Sequence, residues 1–157
     1  CEAHLMVTDP LSWIGPFKKF GAQRIIFHFE IKEDHREIIQ RIKGAGLQAG
    51  IAVNPGTEFA GYKSLIPELD ALLFMSVNPG FYGAAFIPEV LGKLHALRLS
   101  YPRLTIGIDG GVKLDNIEEV IASGPSYICV GSAIMKQNDP KEAYEKFSRY
   151  FERGSLR

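Results

Sequence analysis

The chain has 157 residues, of which 46% are hydrophobic and 23% are charged, the composition of an ordinary globular domain. Its 18 basic and 18 acidic residues cancel, so no net field attracts nucleic acid or an anionic membrane surface. No apolar stretch approaches the roughly 20 residues of a membrane helix, and two cysteines do not make a disulfide framework. We therefore expect one cytoplasmic domain with no nucleic-acid or membrane partner.

Short apolar runs alternate with longer amphipathic stretches along the whole chain. The predicted strands are Ala3–Val7, Arg24–His28, Gln48–Val53, Ala71–Ser76, Thr105–Asp109 and Tyr127–Val130. The predicted helices follow them, over residues 10–20, 34–45, 58–66, 88–100, 115–123 and 139–152. Asp115 and Asp139 stand where helix N-caps belong.

Repeated βα units predict a parallel sheet, and the near-continuous apolar strands predict helices on its faces. A complete (β/α) barrel has eight such units and usually about 250 residues, so six units cannot close one. The chain is therefore either an open α/β sandwich or a barrel without its first two units. It starts at Cys1, only two residues before its first predicted strand. Because termini are usually exposed and weakly packed, we expect the second alternative.

Glycines follow the last two predicted strands, at Gly110-Gly111 and at Gly131-Ser132. Loops without side chains let backbone N–H groups approach an anion, and paired glycine loops of this kind form the common phosphate site of (β/α) barrels. A simpler alternative is that these glycines only make tight turns. Two such loops in adjacent units favour a phosphate site.

Three titratable residues stand in or at the end of apolar strands. Asp109 ends a strand beside two glycines, where a carboxylate is costly unless it binds a metal, a substrate or a hydrogen-bond partner. It could also cap the next helix. His4 and His28 lie in apolar strands, where a histidine is more often a hydrogen-bonded core residue than a ligand. Their spacing does not decide between the two roles.

Six short segments together carry a resemblance to a known family. They are His4-Leu5-Met6-Val7, Phe27-His28-Phe29-Glu30, Asn54-Pro55-Gly56-Thr57, Met75-Ser76-Val77-Asn78-Pro79-Gly80-Phe81, Asp109-Gly110-Gly111-Val112 and Gly131-Ser132-Ala133-Ile134. In this order and spacing the chain resembles the ribulose-phosphate 3-epimerases and related sugar-phosphate epimerases over essentially its full length. The resemblance implies an α/β fold, the TIM (β/α)8 barrel of the ribulose-phosphate-binding type. Residues 1–157 would form a single partial barrel domain that corresponds to the third through eighth strands.

The resemblance also implies an activity and a cofactor. The family epimerises a ketose phosphate at C3, converting D-ribulose 5-phosphate to D-xylulose 5-phosphate in the pentose phosphate pathway through an enediolate. His4 and Asp109 would ligate one divalent metal ion, zinc first, with manganese, iron or cobalt as alternatives. Asp109 would also be one of two acid/base carboxylates. Homo-oligomers are common in the family, so a homo-oligomer is the partner that the resemblance implies besides the phosphorylated sugar.

The remaining site residues are likewise implied by the resemblance. A loop would cover the substrate, the glycine turns would hold the phosphate, and two methionines would line the sugar beside His4. These residues are Gly80, Phe81, Tyr82 and Gly83 in the loop, Gly110, Gly111, Gly131 and Ser132 at the phosphate, and Met6 and Met75 at the sugar.

The chain departs from the family pattern at two places. An H-x-D segment, which carries the family's other acid/base aspartate and a further metal-binding histidine, does not occur in the 157 residues. We therefore expect two of four metal ligands, and no epimerase activity from this polypeptide alone. In the loop, Tyr82 and Ala84 replace a small residue and a glutamine.

Three alternative functions remain open from the sequence. Because of the loop changes, the substrate could be a hexulose 6-phosphate of the allulose type. A naturally short chain could be a non-catalytic phosphate-binding paralogue. A barrel decarboxylase or synthase is disfavoured, because the sequence lacks a complete D-x-K-x-x-D array.

Overall fold

A computed structural model describes residues 1–78 and 84–154. Its centre is a six-stranded sheet in which every neighbouring pair is parallel and the strands follow one another in chain order. The strands are β1 Glu2–Leu5, β2 Arg24–His28, β3 Gln48–Val53, β4 Ala71–Met75, β5 Thr105–Asp109 and β6 Tyr127–Cys129. Sequential parallel order is the arrangement of a (β/α) barrel, and a doubly wound sheet would instead reverse direction at a switch point. The open-sandwich alternative is therefore wrong.

Helices connect the strands on the outside of the sheet. They are α1 Leu11–Lys19, α2 His35–Gly44, α3 Phe59–Tyr62, α4 Glu89–Ser100, α5 Ile117–Ala122, α6 Ser132–Met135 and α7 Pro140–Gly154, with a 3-10 helix at Lys63–Glu68 after α3. Among the described residues, no helix combines the length and the apolar character needed to cross a bilayer.

The predicted strands agree with the observed ones, and three of them agree at both ends. The helices differ in three ways, of which the third, the start of α5, is described below. The single helix predicted over 58–66 is divided into α3 and the 3-10 helix, which contains Pro67 and so lacks a backbone donor there. The short α6 was not predicted. The Asp139 cap is confirmed, since its Oδ1 accepts from the Glu142 N–H at 3.0 Å.

The predicted Asp115 cap is wrong. The N-cap of α5 is Asn116, one residue later. The Asn116 side-chain oxygen accepts a hydrogen bond from the Lys113 N–H at 2.8 Å, and the backbone N–H of Asn116 in turn donates to the Lys113 carbonyl at 3.3 Å. These two bonds hold residues 113–116 in a turn and delay the start of the helix.

The sheet curls into a half-barrel with two different faces. The main core lies between the convex face and the helices, and it includes Phe27, Ile51 and Leu72. The concave face carries a smaller apolar cluster of Ile26, Ala52, Ala71, Leu73 and Met75, against which Tyr127 packs. Helices therefore cover the outer face, and the inner face is free to carry side chains toward the barrel axis.

One contact between the two edge strands shows how strongly the sheet curves. The Tyr127 hydroxyl of β6 donates to Glu2 Oε1 of β1 at 3.2 Å. The Tyr127 ring lies across Gly107, where an added Cβ would come within 2.3 Å of the ring. A glycine at this inner position of β5 is thus what lets the tyrosine reach across the axis.

Candidate functional site

His4 and Asp109 face each other at the concave side of the half-barrel. His4 Nδ1 lies 3.5 Å from Asp109 Oδ2, and their side chains are only 17% and 31% exposed. In a flat sheet, four spacings of ~4.8 Å would separate their strands by about 19 Å. The curvature of the sheet therefore brings together the two side chains that the resemblance named as metal ligands.

A second histidine contacts His4 from the neighbouring strand. The Nε2 atoms of His4 and His28 are 2.9 Å apart. Their ring planes differ by 15° and their centroids are 5.0 Å apart, so the rings meet end to end through the two Nε2 atoms rather than stacking face to face. That geometry is an N–H···N hydrogen bond, in which one ring donates and the other accepts.

Glu30 completes a row of four titratable side chains. Its Oε2 lies 3.5 Å from His28 Nδ1. Its Oε1 accepts from the Asn54 N–H at 2.8 Å and from the Thr57 hydroxyl. The row therefore runs from Asp109 through His4 and His28 to Glu30, and the loop after β3 anchors its far end.

The carboxylate form of Glu30 is strongly stabilised. Partial burial by itself would raise the pKa of this group, but the hydrogen bonds from His28, Thr57 and the Asn54 N–H outweigh it and lower the pKa to about 2. Glu30 is therefore ionised at any physiological pH.

Ser76 fixes the turn that follows Asp109, and it was not predicted as a site residue. This buried side chain extends its hydroxyl to the carbonyl oxygens of Gly110, at 2.6 Å, and Asp109, at 3.1 Å. The Ser76 N–H also donates to the Asp109 carbonyl at 2.8 Å. A small polar residue directly after an all-apolar strand is the signal that could have identified it.

The two glycines of this turn are required by its backbone. Gly110 and Gly111 have φ of +114° and +65°. An added Cβ at Gly110 would come within 2.6 Å of the Val77 side chain, and one at Gly111 would come within 3.1 Å of Phe86. The turn is therefore built from glycine for both conformational and steric reasons.

The second predicted phosphate loop lies next to the first. Asp109 and Cys129 are register partners at the ends of β5 and β6, so the chain leaves both strands at the same edge. Gly131 and Ser132 are exposed there, and Ser132 begins α6. At Gly131 an added Cβ would meet nothing within 4 Å.

The two predicted sugar-lining methionines differ in their exposure to solvent. Met75 is buried in the concave cluster and is the register partner of Asp109. Met6 follows β1 and is 62% exposed. The predicted loop residues Gly80, Phe81, Tyr82 and Gly83 lie outside the described residues.

Cys129 stands on β6 beside this site. Burial, reinforced by the negative charges of Asp109 and Glu2, raises the pKa of its thiol to about 12. The thiol is therefore neutral at physiological pH, and it adds no anionic sulfur to the donors around Asp109.

The His4–Asp109 pair fits two positions of a metal site. Two ligands at about 2.1 Å from a tetrahedral zinc ion lie roughly 3.4 Å apart, close to the 3.5 Å between His4 Nδ1 and Asp109 Oδ2. Residues 1–78 and 84–154 contain no group of three or more histidine, cysteine or acidic side chains arranged to hold a metal. These residues thus supply a pair of donors and not a complete set.

Comparisons with known proteins agree with this architecture. The ribulose-phosphate 3 epimerase family matches residues 1–135. The ribulose-phosphate 3-epimerase of Mycobacterium tuberculosis H37Rv is 39% identical over 159 residues, covering 99% of this chain and 69% of that protein. The cytoplasmic isoform of the rice enzyme (Oryza sativa subsp. japonica) is 37% identical, covering 90% of this chain and 64% of that protein.

Among solved structures, the 3-hexulose-6-phosphate synthase of Salmonella typhimurium superimposes with a TM-score of 0.77. It is 21% identical, and the match covers 97% of this chain and 72% of that one. At this identity the likeness concerns the barrel fold alone. The family match and the curated relatives go further: the chain belongs to the ribulose-phosphate 3-epimerase family.

Proposed function

We propose that this protein is a ketose-phosphate 3-epimerase that interconverts D-ribulose 5-phosphate and D-xylulose 5-phosphate. Family membership and the names of the relatives support the reaction. The observation that carries it for this chain is the Asp109 carboxylate facing His4 on the concave side, at the edge where (β/α) barrels bind their substrates.

Asp109 is the acid/base group of the proposed reaction. Epimerisation removes the proton from C3, next to the ketone, and returns a proton to the opposite face through an enediolate. A carboxylate within hydrogen-bond reach of C3 can take the proton on one face, and a second acid must act on the other. By family resemblance that second acid is the aspartate of an H-x-D segment, so Asp109 performs one half of the exchange.

His4 and Asp109 would hold a divalent ion, for which zinc is the first candidate and manganese, iron and cobalt are alternatives. When bound, such an ion supplies a Lewis acid that stabilises negative charge developing on the substrate oxygens. The support for this proposal is the fit of the 3.5 Å donor separation to two ligand positions. His4 orients its ring toward Asp109 because its other nitrogen is bonded to His28.

The glycine turns after β5 and β6 would bind the substrate phosphate. Gly110 and Gly111 form a turn without side chains, and Gly131 and Ser132 open the next loop at the same edge. Backbone N–H groups in such turns attract an anion without requiring a net positive charge, which suits a chain with zero formal charge. A fixed phosphate in turn orients the reacting carbon toward Asp109.

We also propose a location in the cell, an oligomeric state and a second candidate substrate. A cytoplasmic location is supported by the rice relative that is named as a cytoplasmic isoform. Homo-oligomer formation stays a prediction. A hexulose 6-phosphate is the second candidate substrate, because Tyr82 and Ala84 depart from the family pattern in the covering loop.

The test uses the protein as its own gene produces it, purified through a tag added at the chromosomal locus. It is incubated with ribulose 5-phosphate or allulose 6-phosphate and with Zn²⁺ or Mn²⁺, and the epimeric products are followed by NMR. We expect xylulose 5-phosphate to form, and we expect Asp109→Asn to abolish its formation.

Each other outcome points to a different function. Turnover of allulose 6-phosphate alone would assign the hexulose substrate. Binding of either sugar phosphate without turnover would identify a non-catalytic paralogue. Turnover that survives in Asp109→Asn would contradict the proposed acid/base role.

A further inference from the structure

We infer that Glu30 and His28 form a positioning pair that fixes the tautomer of His4, keeping its Nδ1 unprotonated and directed at Asp109. The inference deepens the proposed function and rests on it for its purpose. The pair touches His4 and not the reacting atoms.

Glu30 determines which histidine donates in the hydrogen bond between His28 and His4. Glu30 is a carboxylate and can only accept, so the nitrogen that faces it, His28 Nδ1, carries a proton. In a neutral His28 the other nitrogen, Nε2, is then an acceptor. Because His28 Nε2 lies 2.9 Å from His4 Nε2, the proton between them belongs to His4.

This proton position decides which form of His4 faces Asp109. A neutral His4 protonated at Nε2 has a lone pair on Nδ1, and that lone pair faces Asp109 Oδ2 at 3.5 Å. Two electron-rich atoms held in this way repel each other unless a cation lies between them. The tautomer imposed by Glu30 and His28 is therefore the one that a metal ligand requires.

The opposite arrangement is disfavoured by the surroundings of Glu30. If His4 Nδ1 donated to Asp109, a neutral His28 would have to donate through Nε2, and its Nδ1 lone pair would face a carboxylate. A doubly protonated His28 would donate through both nitrogens and would also put a proton on His4 Nδ1, which is the result that overturns the inference. Glu30 cannot turn away easily, since its Oε1 already accepts from Asn54 and Thr57. By holding Glu30, the loop after β3 thus determines which nitrogen of His4 carries the proton.

Glu30→Gln offers a sharp test because the two carboxylate oxygens have different partners. The Asn54 N–H and the Thr57 hydroxyl both donate to Oε1, so the amide oxygen of a glutamine remains there. The amide NH₂ then takes the position of Oε2 and donates to His28 Nδ1. Every hydrogen bond in the row reverses, and His4 Nδ1 gains a proton.

The first experiment is NMR of the full chain labelled with ¹⁵N-histidine, free of metal, at pH 8. We expect a scalar coupling across the hydrogen bond between the two Nε2 atoms, with the proton on His4 Nε2 and on His28 Nδ1. Substitution of each histidine by glutamine assigns the signals. A proton on His4 Nδ1, or no coupling between the rings, in the spectrum of the wild type would overturn the inference.

The second experiment compares Zn²⁺ affinity in the protein that the natural gene encodes, measured by competition with a chromophoric chelator. In Glu30→Gln we expect the reversed tautomers and an affinity lower by roughly 10- to 100-fold. The matched control is Glu33→Gln, an exposed glutamate in the same loop, which should change neither readout. Reversed tautomers with unchanged affinity would refute a positioning role.

The two proposals fail in different ways. If the protein that the natural gene encodes binds no Zn²⁺, the metal site of the proposed function is contradicted, while the tautomers of His4 and His28 still decide this inference. Conversely, His4 protonated at Nδ1 in a protein that epimerises its substrate would remove the positioning pair and leave the activity in place.

Discussion

His4 Nδ1 and Asp109 Oδ2 lie 3.5 Å apart although they belong to the first and fifth strands of a six-stranded sheet. Three strands separate them in the sheet, so only its curvature can bring them together. The same curvature brings Tyr127 of the sixth strand to Glu2 of the first. The candidate site is thus a product of barrel geometry rather than of any local motif.

Acid should weaken the fold partly through Glu30. Its pKa falls from 4.5 to about 2 in the folded chain, so its carboxylate stabilises the fold above pH 4.5, and that contribution is lost as the pH falls toward 2. In Glu30→Gln we expect a lower unfolding free energy at pH 7 and a shallower decline on acidification. Urea unfolding at a series of pH values measures both, with Glu33→Gln as the control. A decline as steep as that of the wild type would refute the assignment.

The turn after β5 should tolerate no side chain at Gly110. Alanine would have to adopt φ near +114° and contact Val77, so we expect the unfolding free energy to fall by about 1–3 kcal/mol. Gly92→Ala is the matched control, because Gly92 lies inside α4 and has open space around its Cα. Its stability should not fall, because alanine is favoured over glycine within a helix. Equal losses in the two variants would mean that the strained turn is not the cause.

Much of this architecture could be predicted from the sequence. The bounds of β2, β3 and β5 were predicted correctly because these strands are near-continuous apolar runs between polar residues. The start of α5 was not, because the Asn116 side chain accepts from the Lys113 N–H and holds residues 113–116 in a turn. Hydrophobic periodicity does not reveal local hydrogen bonds of this kind, so it does not predict the exact start of the helix.

Some residues of the candidate site could likewise be predicted from the sequence, and others could not. Asp109 and its glycines could be identified from their position at a strand end, and His4 by family resemblance. The partnership of His28 with His4 and Glu30 could not, because a histidine in an apolar strand does not reveal which neighbour its nitrogens reach. Ser76 was missed for a similar reason, since its role depends on two carbonyl groups of another strand.

Ser76 should prove to be a support for Asp109. In Ser76→Ala the partly buried Gly110 carbonyl loses its hydroxyl donor, and we expect the unfolding free energy to fall by about 0.5–1.5 kcal/mol. We also expect weaker Zn²⁺ binding, because the backbone of Asp109 is less firmly held. Ser100→Ala, which removes a hydroxyl bonded only within its own helix at the surface, serves as the control. Retained stability and retained Zn²⁺ affinity in Ser76→Ala would exclude this role.

The most direct measurement of the central claim is exchange of the C3 proton with solvent. Ribulose 5-phosphate is incubated in D₂O with the protein that the natural gene encodes, and deuterium at C3 is followed by NMR in the wild type and in Asp109→Asn. If Asp109 is an acid/base carboxylate of a 3-epimerase, the wild type incorporates deuterium and forms xylulose 5-phosphate, and the variant loses xylulose 5-phosphate formation by at least about 100-fold. Undiminished formation of xylulose 5-phosphate in Asp109→Asn would contradict the account.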